Sequence, residues 1–76
     1  MTNYQMNGWT NWVTWNVALW IQNDECLYSI AQECDCYRDF INWMQQVCMD
    51  ETPDGASFTD PALNTHQLSA MLADLC

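Results

Sequence analysis

The chain has 76 residues, enough for one domain spanning 1–76, and sets ten Asp and Glu against a single Arg, for a formal net charge of −9. Half of the residues are apolar and five are Trp, which excludes a disordered chain. A charge of that sign repels phosphate backbones and anionic membrane surfaces, disfavours direct nucleic-acid or membrane binding, and favours encounters with basic protein surfaces.

Residues 1–9 read as an irregular arm, with a turn at Asn7-Gly8 and with Tyr4, Met6 and Trp9 free to pack back on the body. The first helix is predicted from Asn11 to Gln22, with Thr10 as its N-cap. Trp12, Trp15 and Leu19 share one stripe, and Val13, Val17 and Trp20 a second beside it. A helix so apolar is expected at the centre of the fold. The second helix is predicted from Glu25 to Cys34, capped by Asp24, with Leu27, Ile30, Ala31 and Cys34 on its inner stripe. Asp35-Cys36 reads as a turn in which Asp35 caps a third helix from Tyr37 to Cys48; one continuous helix over 25–48 is the alternative. The inner face of the third helix is read as Tyr37, Phe40, Ile41, Met44, Val47 and Cys48, with Trp43 off its centre.

An irregular acidic loop is expected over 49–63. Thr52-Pro53-Asp54-Gly55 is a strong turn signal, Phe58 the expected anchor to the core, and Asp60-Pro61 a possible start for one helical turn. The last helix is predicted from Thr65 to Asp74, with Asn64 and Gln67 at capping-box spacing and Leu68, Met71, Leu72 and Leu75 as its apolar stripe. These elements make an all-α, single-domain bundle of three to four short helices. The longest apolar run, Val17 to Ile21, is far shorter than the about 20 residues that span a bilayer, and the start of the chain lacks a basic region before an apolar run. A soluble, cytoplasmic protein is the expectation.

Chemistry has few carriers here. Cys26, Cys34, Cys36, Cys48 and Cys76 are odd in number and unaccompanied by a secretion signal, as expected of reduced thiols. Cys34 and Cys36 lie two apart, unlike the usual zinc or redox spacings, and the single histidine, His66, is distant in sequence. A Cys–His pair of Cys36 or Cys48 with His66, or a thiol-bound metal, stays open as a minor alternative. The neighbouring carboxylates Asp24–Glu25 and Asp50–Glu51 point in different directions on a helix or lie in a loop without calcium-loop alternation. Gly8 and Gly55 form no phosphate-binding loop. No catalytic, cofactor or metal residue is assigned, no cofactor is expected, and the chain reads as a binding protein, not an enzyme.

Exposed Trp beside polar groups is typical of a binding hot spot. Trp9, Trp12, Trp20 and Trp43 are the aromatic candidates for partner contact. The acidic candidates are Glu33, Asp35, Asp39, Asp50, Glu51, Asp54 and Asp60, whose carboxylates could also mimic nucleic-acid phosphates. Thr10, Asn11, Thr14 and Asn16 are read first as structural, bonding the first helix to neighbouring loops. A self-associating homodimer module is the alternative function.

The run Asn7-Gly8-Trp9-Thr10-Asn11, then Thr14-Trp15-Asn16-Val17, then Asn23-Asp24-Glu25 resembles a signature near the start of short uncharacterised bacteriophage proteins, including those of cyanophages. Thr52-Pro53-Asp54-Gly55 and Asp60-Pro61-Ala62-Leu63-Asn64 are similar to the same group, so the resemblance spans most of the chain. It implies a small phage or phage-derived protein without an established activity, and it brings no catalytic residues. With the acidic charge, it leads to the expectation of a host-protein inhibitor or modulator. The group has a small residue such as Gly at the place of Cys26 and around Cys34 to Cys36, which argues against these cysteines carrying the common function.

Overall fold

Four helices follow one another in the computed structural model, which describes residues 8–75: α1 (Trp12–Asn23), α2 (Glu25–Gln32), α3 (Tyr37–Gln46) and α4 (Thr65–Leu75). Among the described residues there is no strand beyond one isolated antiparallel bridge between Glu51 and Ser57. The fold is all-α, as the periodicity predicts. The expected packing of Tyr4 and Met6 lies outside the described residues.

Caps decide where the helices begin. Asn11, not Thr10, caps α1: its side-chain oxygen accepts from the Thr14 N–H at 3.0 Å. The backbone of Asn11 is extended, as a cap requires, and α1 therefore starts one residue later than expected. Asp24 closes α1 and opens α2. Its N–H donates to the Trp20 carbonyl, while its carboxylate accepts from the N–H groups of Cys26 and Leu27. One acidic residue thus satisfies donors at the positive end of a helix dipole and makes a sharp corner without glycine.

The 25–48 stretch is two helices and not one. α2 ends at Gln32, earlier than Cys34, and α3 opens at Cys36 without a side-chain cap. Asp35 does not cap it, contrary to expectation. The Asp35 N–H instead donates to Asp39 Oδ2 at 3.3 Å, and the Tyr37 N–H donates to Ser69 Oγ on α4 at 3.0 Å. A hydroxyl from another helix fills the role assigned to the local carboxylate.

The core gathers Val17, Ala18 and Ile21 of α1, Leu27 and Ala31 of α2, Tyr37, Phe40 and Met44 of α3, and Leu68, Met71 and Leu72 of α4. α1 packs on α2 and α4, and α3 on α2 and α4. Burial departs from the expected stripe on α1, whose buried residues include Thr14 and Asn16 while Trp12 is exposed. Polar Thr14 and Asn16 turn inward because the loops meeting them supply hydrogen-bond partners, without which their burial would cost about 1–3 kcal/mol each. On α3 the inner face ends at Met44: Val47 and Cys48 are exposed.

The segment between α3 and α4 is held by its own turns. Thr52 accepts from the Gly55 N–H through its carbonyl, and its hydroxyl accepts from the Ala56 N–H. Gly55 takes φ +93°, the left-handed conformation that the Pro-Asp-Gly turn demands. Phe58 is the buried anchor, edge-on to Phe40 with centroids 5.9 Å apart, and Phe40 stacks on Tyr37 at 5.8 Å. The Tyr37 hydroxyl donates to the Phe58 carbonyl at 2.6 Å, and burial pushes its phenol well above the ordinary range, so it stays a neutral donor. Asp60-Pro61 forms a turn, not a helical start, with Asp60 Oδ1 accepting from the Ala62 N–H.

Candidate functional site

The polar residues around the tryptophans are used inside the molecule. Thr14 Oγ donates to Asn11 Oδ1 at 2.6 Å and accepts from the Asn64 N–H at 3.0 Å. Asn11 Nδ2 donates to the Ala62 carbonyl at 2.8 Å. Asn64 caps α4 by accepting from the Gln67 N–H, and its amide donates to Thr10 Oγ at 2.8 Å. The Gln67 side chain does not close a local capping box: Nε2 donates to the Gly8 carbonyl, and Oε1 accepts from both the N–H and the hydroxyl of Thr10. The N-termini of α1 and α4, each capped by its own Asn, are therefore tied together through one shared cluster.

A second cluster fastens the 52–56 turn to α1. Asn16 Oδ1 accepts from the Thr52 hydroxyl at 2.7 Å, and Asn16 Nδ2 donates to Asp54 Oδ2 at 2.9 Å. The Trp20 indole N–H donates to the same oxygen at 3.0 Å. The Asn16 amide and the Trp20 indole together hold the Asp54 carboxyl below its usual value. The segments 8–16, 52–55 and 60–64 are thus largely partners of one another.

The candidate aromatics divide on this basis. Trp9 and Trp20 are half-buried against the core, Trp20 with its N–H engaged. Trp12 is 46% exposed and tilted against Trp15, while Trp43 is 44% exposed. The acidic candidates scatter. Glu33 ends α2, Asp35 and Asp39 share a hydrogen bond at the α2–α3 turn, and Asp54 and Asp60 hold turns. Asp50 and Glu51 stand exposed directly after α3.

Two residues missed in the sequence join Trp43. Val47 lies four residues on, with its N–H bonded to the Trp43 carbonyl, and is 46% exposed; Met49 is 38% exposed. The end of α3 explains them. The Met49 N–H reaches the Met44 carbonyl and the Cys48 N–H reaches that of Gln45, with Cys48 at φ +60°. This is a Schellman ending with a cysteine where glycine is usual. Only a glycine at position 48 would have announced it, so the helical phase of Val47 with Met44 suggested an inner face that does not exist. Trp43, Val47 and Met49 form an apolar end to α3, followed at once by Asp50 and Glu51.

The thiols are not joined in disulfides at Cys26, Cys34, Cys36 or Cys48. Cys34 is buried and donates to the Ile30 carbonyl, Cys36 is half-buried, and Cys26 and Cys48 are exposed. Among the described residues no three His, Cys, Asp or Glu side chains gather in a way that could hold a metal ion. None of the described helices is long and apolar enough to cross a membrane. A cleft of about 590 Å³ lies between α3, the 58–63 segment and the start of α4.

Residues 2–76 match a family of unknown function, DUF7249, and the chain belongs to it. No curated protein and no solved structure matches the chain.

Proposed function

We propose that this member of the family is a phage-encoded binding protein that docks on a basic surface of a host protein in the host cytoplasm and modulates or inhibits it, without a catalytic step. The observation that carries the reading is the exposed end of α3, where Trp43, Val47 and Met49 adjoin Asp50 and Glu51. An aromatic anchor beside aliphatic side chains supplies binding energy, and the carboxylates with the net charge of −9 supply steering toward a positive partner. The inward bonding of the Thr and Asn side chains supports the same division of labour, with the signature residues holding the fold and the α3 end free for contact. Resemblance to phage proteins supports the host as the source of the partner. Phosphate mimicry by Glu33, Asp35 and Asp39 is a narrower form of this reading, in which DNA would compete with the protein for its target.

The test is affinity capture from host lysate by the full chain and by a Trp43→Ser/Val47→Ser variant, at low and high salt. One basic host protein should be retained by the unaltered chain at low salt, released at high salt, and lost by the variant. A catch that is identical for both chains removes the α3 end from the reading, and the absence of any partner at either salt removes the reading itself. A homodimer closed over Trp43, Val47 and Met49 is the second reading, favoured by the same exposed side chains. Sedimentation at several concentrations separates the two, since a strict monomer leaves only the first.

A further inference from the structure

Arg38 is the one guanidinium in a chain that has ten carboxylate side chains, and it lines the cleft between α3, the 58–63 segment and α4. The accessible apolar wall there comes from Ile41 and Pro61, over the buried Tyr37, Phe58 and Leu63, while Thr59, Thr65 and Ser69 bring polar groups to it. A cleft of about 590 Å³ lies in the range of small-molecule sites, which pair an apolar lining with a few polar groups that fix orientation. Two neighbouring carboxylates each accept one backbone N–H bond and form no ion pair with Arg38 among the described residues. Asp39 accepts from the Asp35 N–H, and Asp60, also in the cleft, accepts from the Ala62 N–H. Arg38 itself is exposed, so its planar fork of donors is open to a ligand.

We infer that this cleft binds a small apolar carboxylate, its hydrocarbon body against Ile41 and Pro61 and its carboxylate on Arg38. Charge complementarity selects the head group. A guanidinium and a carboxylate form paired, charge-assisted hydrogen bonds that an alcohol cannot match. An amine would meet the guanidinium as a like charge. Asp60 also lines the cleft, so the carboxylate sits at the Arg38 side and the amine probe reports whether Asp60 or Arg38 sets the preference. This site is separate from the exposed end of α3 and does not depend on the function proposed for that end.

Three probes with one hydrocarbon body and different heads test it: 3-phenylpropionate, 3-phenylpropan-1-ol and 3-phenylpropylamine, titrated into the isotope-labelled full chain. Amide resonances of Arg38, Thr59, Thr65 and Ser69 should shift saturably with the carboxylate and much less with the alcohol or the amine. Arg38→Gln should weaken carboxylate binding about tenfold or more, the loss of one charge-assisted contact, and Arg38→Lys should weaken it less. Arg38 is exposed, so both variants are expected to keep the helical circular dichroism of the parent. The inference is overturned by equal binding of acid and amine, by an R38Q affinity equal to that of the parent, or by the absence of a saturable shift with the acid. Capture experiments with the Trp43→Ser/Val47→Ser variant report on a different surface, so either idea can fail alone.

Discussion

Asn16 is 1% exposed and spends both ends of its amide on a single loop, accepting from Thr52 and donating to Asp54. Replacing it with Ala leaves the Thr52 hydroxyl, itself on a buried residue, without that acceptor and removes one of two donors to Asp54. Asn16→Ala should lower the unfolding free energy by about 2–3 kcal/mol, read as a lower urea midpoint at unchanged slope. Asp54 carries the pH dependence of the same contact. Its folded pKa is lowered from 3.8, first by the Asn16 amide and then by the Trp20 indole, so the folded state holds the charged form more tightly than the unfolded chain does. The stability it adds is fully present above pH 3.8 and is lost as the pH falls below that value toward the lower folded pKa. The difference in urea midpoint between the parent and Asp54→Asn should therefore be constant near neutrality and shrink below about pH 4. An unchanged difference down to strong acid would mean that the carboxylate charge adds nothing.

At the scale of the elements, the helices were legible and their ends less so. Leu27 and Ala31, Phe40 and Met44, and Leu68 and Leu72 recur at four-residue spacing, and each pair is buried. Asp24 and Asn64 announce their caps by residue type, and both act as such. Thr10 and Asn11 are both good cap residues in adjacent places, and only the distant Ala62, Asn64 and Gln67 decide between them. Asn64 holds Thr14 inward, Thr52 and Asp54 hold Asn16, and Trp12 is left outside, an inversion that no local pattern on α1 could reveal. Trp43 was recognisable as lying off its stripe, whereas Val47 and Met49 were not, because the α3 ending uses Cys48 in a left-handed conformation. That conformation costs an L-residue roughly 1–2 kcal/mol, and a glycine avoids it while gaining some unfolded-state entropy. Cys48→Gly should raise stability by about 1 kcal/mol, seen as a higher denaturation midpoint with the same slope. A fall in midpoint would show that the thiol contributes packing the exposed position does not suggest.

The whole molecule joins a small aromatic core to a one-signed charge. Inside, Phe40 stacks on Tyr37 and meets Phe58 edge-on between α3 and the following loop, and two polar clusters close the remaining sides of α1. Outside, a net charge of −9 must be confined in a chain of 76 residues. Most of its carboxylates cap helices or turns, or stand exposed, so their mutual repulsion runs through solvent and is open to screening. Self-repulsion of this kind destabilises a compact state, and the expanded chain relieves it by distance. The Debye length falls from about 30 Å at 0.01 M salt to about 8 Å at 0.15 M, shorter than the distance across a domain of this size. Monovalent salt should therefore raise the thermal and urea midpoints between those concentrations and level off above them. Sodium chloride and potassium chloride should act alike, since screening does not depend on the cation's identity. A binding partner should respond in the opposite sense, because the same screening removes the attraction that brings a basic surface to the acidic one. Stability that falls with salt would require attractive contacts between the carboxylates and Arg38 to outweigh repulsion among ten like charges.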